Sequence, residues 1–333
     1  MTDRYLKRIL FATLLLLAIL SGIAIYNHYF DAKNMRGKYV FANSRQKIES
    51  LSAFKIVSAG GNEINLYRKG DSWRFKEAND YFVNTDMIRN FYNMINNSIV
   101  ISVHNGKKSL LAENNLLNPQ ETSDRSGAGT LLITYDSNGG ELDRVILGKK
   151  NGFEDYVFAR DAEHSYSYTI NSVGIFNGNP EAWIPYPLLQ VQNQYIEGIA
   201  LGGNEIDREQ IDYLLLHSAI FRKLFDVLNF IDYQGNALRS DLRQAFPDAK
   251  PQRIEIAMIG GLVYIFDIYH VEGSYWMEIT LASKRLAHKD ILPFIQKNQQ
   301  YFSDWVFQLA TDQGELMYNI RIAHDKLEAE IKQ

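Results

Sequence analysis

The chain has 333 residues, of which 46% are hydrophobic, 22% charged and 13% aromatic, with a formal net charge of -4. That length allows one large domain or two ordinary ones, and so weak a net charge excludes general nucleic-acid binding, which needs concentrated positive charge. The lack of cysteine excludes disulfides, thiolate nucleophiles, iron–sulfur clusters and cysteine-bound zinc, without fixing the compartment.

In chain order, residues 1–8 carry the basic Arg4, Lys7 and Arg8 and predict a short cytoplasmic tail. Residues 9–30 carry no formal charge, and Ile9–Tyr26 is almost all apolar. As a helix that stretch reaches about 27 Å, close to the roughly 30 Å hydrocarbon core of a bilayer. Tyr26, Tyr29 and Phe30 would form an aromatic belt at the far interface. A cleaved signal peptide is the competing reading. It needs a shorter apolar region ending in a small-x-small site, and Ser21-Gly22-Ile23-Ala24 is a poor version of one. The pattern favours an uncleaved single-pass anchor, with the bulk of the chain outside the cytoplasmic membrane. Lys33, Arg36 and Lys38 follow the span and weaken the charge asymmetry behind that orientation. Residues 31–50 are polar and mixed and read as a tether or short stalk helix.

Strand patterns then begin. Phe54–Val57, Glu63–Arg68 and Ser72–Lys76 are separated by Ala59-Gly60-Gly61-Asn62 and Lys69-Gly70-Asp71, which predicts a meander of antiparallel hairpins. Trp73 and Phe75 fall on one strand face. Asn84 is a good N-cap, Val83 and Ile88 fit a hydrophobic staple, and Ile88, Phe91, Tyr92 and Ile95 follow at helical spacing. Ser109–Leu117 predicts a short helix closed at Pro119. Leu131–Tyr135, Leu142–Leu147, Tyr156–Arg160 and Tyr166–Ile170 alternate with turn-rich separators and predict further strands. Trp183–Leu189 predicts a packed turn or short helix, and Gln194–Leu201 a strand.

Beyond Leu201 the order partly recurs. Asp207–Gln210 has capping-box spacing, and the helix it opens continues through Ile211, Leu214, Phe221, Leu224, Phe225 and Leu228. Ser240–Pro251 predicts a second short helix closed by proline. Ile254–Ile259, Leu262–Val271 and Tyr275–Leu281 predict hairpin strands, Ile291–Phe302 a helix and Trp305–Leu309 a strand. The fold class is α+β: antiparallel hairpins and meanders with packed helices, preceded by one transmembrane helix, with a possible degenerate internal duplication. The predicted units are 51–201 and 202–333.

Together with the N-terminal anchor, the segments GDSWRF, YFVNTDMIRNFYNMI, LLAENNLLNP, VILGKKN, YVFAR and EAWIPYPLLQVQNQYIEGIAL occur in a particular order. That order resembles the bacterial membrane-anchored family catalogued as domain of unknown function 4340, over roughly residues 1–205. The family often repeats its tryptophan hairpin in a second half, and this chain has no obvious copy. The resemblance implies an envelope role accessory to ABC-type transporters of the gliding-motility auxiliary kind. It implies no chemistry that can be placed on individual residues.

The residues themselves offer little catalytic pattern. The seven histidines form neither HxH nor HExxH, so no metal or cofactor is expected. Gly106-Lys107-Lys108 and Gly148-Lys149-Lys150 lack the second glycine of a phosphate-cradling loop, Ile101 and Asp143 standing there instead. They read as solvated turns, with Lys149 and Lys150 as the binding candidates for a phosphate or sugar-acid ligand. No G-x-S-x-G elbow surrounds Ser126, and Glu154-Asp155 and Asp161 read as turn residues. Phe221–Phe225 reads as core at helical spacing. Taken with the anchor, this favours a non-catalytic membrane-tethered protein whose extracytoplasmic module binds a partner, and the resemblance implies transporter subunits as that partner. The alternative is an envelope enzyme that binds or hydrolyses a glycan or lipid.

Overall fold

The computed structural model describes residues 13–22, 34–104, 106–123, 125–152, 156–171, 178–285 and 287–331. The fold is α+β, with two antiparallel sheets and packed helices. Most of the expected membrane span lies outside the described residues. Its described part, residues 13–22, is helical (α1). No helix among the described residues is long and apolar enough to cross a membrane.

The chain forms two compact units, Met1–Trp73 with Thr85–Ala182, and Arg74–Asn84 with Trp183–Gln333. In the first unit α2 (Ala42–Gln46) precedes β1 (Leu51–Val57), β2 (Glu63–Lys69) and β3 (Ser72–Phe75). β4 (Tyr81–Phe82), whose residues are counted with the second unit, comes next in the chain, followed by α3 (Thr85–Asn97), β5 (Val100–His104) and α4 (Lys108–Glu113). Then follow β6 (Thr130–Asp136), β7 (Glu141–Lys150), β8 (Tyr156–Asp161) and β9 (Ser167–Asn171). The nine-stranded sheet has the order β4-β3-β2-β1-β6-β7-β8-β9-β5. The central β6 is buried on both faces from Leu131 to Thr134, because helices cover both sides. Leu131, Ile133, Val57 and Ile146 pack with Leu111 of α4. On α3, Phe91 stacks on Phe54 at 3.8 Å between centroids, and Trp73 lies 5.1 Å from Phe54. Trp73 and Phe75 are both buried, as their alternation predicts.

The second unit contains β10 (Ile196–Leu201), β11 (Asn204–Asp207), α5 (Arg208–His217), α6 (Ala219–Asn229), β12 (Tyr233–Leu238) and α7 (Arg239–Ala245). Next come β13 (Gln252–Met258), β14 (Leu262–Val271), β15 (Ser274–Ser283), α8 (Ile291–Asn298), β16 (Trp305–Leu309) and α9 (Thr311–Ile331). Its sheet order is β11-β10-β13-β14-β15-β16-β12. This matches the run β2-β1-β6-β7-β8-β9-β5 of the first sheet strand for strand, with a helical segment between the second and third strands of each run. The two halves thus share one topology, although their sequences share little.

The tryptophan hairpin is where they differ. In the second unit β11 runs directly into α5 at Asp207, whose Oδ1 accepts the Gln210 N–H at 2.9 Å while the Asp207 N–H donates to Gln210 Oε1 at 3.0 Å. That is the capping box read from the sequence. Arg74–Asn84, the later part of the first-half hairpin, belongs to the second unit. There Tyr81 packs 5.1 Å from Trp305 and 5.4 Å from Phe307, and Trp305 Nε1 donates to the Asn79 carbonyl at 2.9 Å.

Four expectations are corrected. The division expected between 201 and 202 falls inside the β10–β11 hairpin. Because β10 pairs with β11 and β13, the second unit takes in everything from Trp183. The expected tether 31–50 is not free chain from residue 37 onward. Gly37 N donates to the Val100 carbonyl at 2.8 Å, Val40 N to the Ser98 carbonyl at 3.0 Å, and Phe41 is fully buried. The long helix expected through Leu228 breaks at Ser218, whose extended backbone (φ -121, ψ 116) separates α5 from α6. The helix expected over Ser109–Leu117 ends at Glu113, and Asn115 turns the chain at φ 56.

Candidate functional site

Lys149 and Lys150 end strand β7 and are exposed. The glycine ahead of them is explained by packing. A Cβ on Gly148 would stand 2.2 Å from the Asn114 carbonyl oxygen, and Lys149 N donates to that oxygen at 3.1 Å. Gly106 of the other Gly-Lys-Lys run is equally confined, with the Ser165 carbonyl oxygen 1.3 Å from where a Cβ would be. In both runs the glycine admits a neighbouring backbone, which is a structural use of the residue. Lys150 pairs with Val157 of β8, and the ladder shifts register between Leu147 and Lys150.

Next to Lys150 a small polar group converges. His104 Nε2 of β5 lies 2.7 Å from Thr169 Oγ1 of β9 and 3.1 Å from Ser102 Oγ. Asn151 Nδ2 donates to the same Thr169 oxygen at 3.1 Å. Register explains the meeting, because Ser102 and His104 are paired with Thr169 and Ser167 on the adjoining strand. Burial lowers the His104 pKa, so the imidazole favours its neutral form. One ring nitrogen serves both hydroxyls, so the cluster does not have the base-and-orienter geometry of a nucleophilic triad. Asp161, read as a turn residue, faces His164 at 3.3 Å, and Glu154-Asp155 lie outside the described residues.

A second constellation, missed from sequence, crosses the second sheet. Arg253, Asp267 and Glu278 stand directly opposite one another on β13, β14 and β15. Arg253 grips Asp267 in a two-pronged contact at 2.7 and 2.8 Å. Glu278 takes Arg243 of α7 at 3.0 and 3.3 Å and Arg239 at 3.4 Å. The carboxylate bonds raise the pKa of both Arg243 and Arg253. Two carboxylates held by guanidinium forks suit a fixed ionic row. The signal that could have found the row is strand parity: Arg253, Asp267 and Glu278 all fall on the non-core positions of alternating strands.

A cleft of about 540 Å³ lies between α6 and α9, lined by Lys223, Asp226, Asp312, Glu315 and Asn319 over the apolar Ile220. Among the described residues that line it there is no aromatic side chain. Among the described residues no group of three metal-ligating side chains gathers. Compared with family models, curated proteins and solved structures, the chain matches none.

Proposed function

We propose that the chain is a single-pass, membrane-tethered envelope protein whose two α+β units act without catalysis, by holding a partner protein near the membrane. One observation carries the membrane part. The side chains of residues 13–22 are all exposed, with Leu14, Leu15, Leu16 and Leu17 between 53% and 59% accessible, although that helix is almost wholly apolar. Such a surface is unfavourable in water and is satisfied in lipid. The segment after it is anchored to the body. Asp143 of β7 accepts the Ser44 N–H at 2.7 Å and the Ser44 hydroxyl at 2.5 Å, and Ser44 Oγ also lies 2.7 Å from Thr134 Oγ1. The first unit therefore follows the span with few intervening residues, and a short connection raises the effective concentration of a membrane partner. The resemblance to the family named above points to subunits of an ABC-type transporter as that partner. Lys149 and Lys150, exposed at one end of the first sheet, are the charged contacts we assign to it.

The test is affinity capture of the full chain after mild detergent extraction. The expected result is co-purification of an ATPase and a permease, weakened at least several-fold by Lys149→Glu with Lys150→Glu. Recovery of neither subunit under any growth condition would contradict the accessory role.

A further inference from the structure

The repeated topology exposes one addition. In the first unit β8 reaches β9 through the short connection 162–166, whereas the matching strands β15 and β16 are joined by the much longer 284–304. This insertion carries α8, a helix with no buried residue. Ile291, Ile295 and Asn298 recur at helical spacing on its half-buried side. The rest of its surface is largely apolar: Leu292 is 59% exposed and Phe294 41%, with Pro293 exposed between them.

Two further exposed apolar residues are tied to the insertion. Ile259, 64% exposed, precedes the β13–β14 turn. That turn is bonded to the insertion by His288 N to the Gly260 carbonyl at 2.9 Å and Lys284 N to the Gly261 carbonyl at 2.8 Å. Ile259 N in turn donates at 2.8 Å to the carbonyl of Tyr195, itself 48% exposed. Gly261 is needed here, since a Cβ on it would stand 2.6 Å from Ala287 Cα at a positive φ of 94.

The charge around this patch is basic in an acidic chain. Lys284, Arg285, Lys289 and Lys297 lie within 284–297, and Asp290 is the single carboxylate there. Lys284 is partly engaged by Glu197 at 2.8 Å, and Arg285, Lys289 and Lys297 are exposed like the apolar residues. Aliphatic and aromatic side chains that enter an interface, an exposed tyrosine, and a rim of cations are the chemistry that recognises an anionic lipid surface.

We propose that 284–297, with Ile259 and Tyr195, is a docking surface for anionic lipid headgroups. It rests on the membrane-tethered reading above, because an anchored chain makes a weak lipid contact effective. The absence of cysteine makes the test direct. The full chain carrying Phe294→Cys, or Glu205→Cys on the edge strand β11 as reference, is spin-labelled and reconstituted. The vesicles are phosphatidylcholine alone or phosphatidylcholine mixed with phosphatidylglycerol. Collisions with lipid-soluble oxygen and a water-soluble nickel chelate are then measured.

The expected result is an oxygen-to-nickel ratio at 294 several-fold above that at 205 on phosphatidylglycerol vesicles. Lys289→Glu with Lys297→Glu, or pure phosphatidylcholine, should remove the difference. Equal ratios at the two sites on anionic vesicles would overturn the proposal. So would a label at 294 that is immobilised in lipid-free protein as concentration rises, which would assign the patch to a second copy of the chain. An alkaline wash of the same vesicles reports separately on the tether. A chain that docks at neutral pH but is stripped by alkali would retain the docking surface and refute the span.

Discussion

Replacing Phe91 with alanine is expected to destabilise the first unit by about 3–5 kcal/mol, the range for truncating a buried aromatic in a packed core. Phe91 is 2% exposed and Phe54 beneath it 1%. Their rings stack 3.8 Å apart, nearly parallel at 20°, and Trp73 closes the cluster on Phe54 at 5.1 Å. The change removes the ring that joins α3 to the face of β1, and leaves a cavity that two rigid aromatic neighbours cannot easily fill. Phe91→Leu should recover a large part of the loss, because it refills much of the volume. Amide exchange in β1 and β6 is the measurement, since a chain of two units need not unfold in a single step. Unchanged protection of β1 in Phe91→Ala would show that α3 does not hold the sheet face.

Glu278→Ala is expected to cost the second unit about 3–5 kcal/mol, the cost of breaking a buried ion pair from one side. The Glu278 side chain is 4% exposed and receives both Arg239, 21% exposed, and Arg243, 61% exposed. Without the carboxylate, the Arg239 guanidinium keeps its charge in a mostly buried place with its ion-pair partner gone. Arg243→Ala should cost far less, about 1 kcal/mol or below, because an exposed arginine is screened by solvent and Glu278 keeps Arg239. Thermal unfolding of the three proteins ranks them, with Glu278→Ala lowest. Equal loss from Glu278→Ala and Arg243→Ala would mean that the carboxylate is not the hub of the row.

Much of this fold was legible because local chemistry and tertiary packing agree. The turns at Gly60-Gly61, Lys69-Gly70-Asp71 and Asp136–Gly140 stand where their residues place them, and Asp136 Oδ1 accepts both Asn138 N at 3.0 Å and Gly140 N at 2.9 Å. The Asp207–Gln210 box was readable for the same reason: all its parts lie within four residues. What was hidden depends on partners far along the chain. Strand β12 reads as Tyr-Gln-Gly-Asn-Ala-Leu, with a glycine and two amides, and is a strand because β16 pairs with it. Strand β5 is similarly held by β9. Helix α9 was not read, although Met317, Ile320 and His324 are buried along it, because its apolar and charged residues mix on several faces. The Arg253–Asp267–Glu278 row needed strand register, which no single segment carries.

The tryptophan segment has a double role. Trp73 belongs to the first unit, where it packs on Phe54, while Arg74–Asn84 belongs to the second, where Tyr81 meets Trp305. Its apparent absence from the second half is real at the level of topology, since β11 enters α5 with no intervening hairpin. Of the binding candidates, Lys149 and Lys150 could be named from sequence, yet the polar group beside them, Ser102, His104, Asn151 and Thr169, is brought together only by the pairing of β5 with β9.

In the proposed arrangement the units stand outside the cytoplasmic membrane on a retained helix. Single cysteines introduced at Thr2 and at Glu205 of the otherwise cysteine-free chain test it in spheroplasts of a bacterial host, using a maleimide that does not cross membranes. The expected result is labelling at 205 on intact spheroplasts and at 2 only after lysis, with the full-length chain retained in the membrane through an alkaline wash. Labelling at 2 without lysis, protection of 205, or release of the chain by alkali would contradict it.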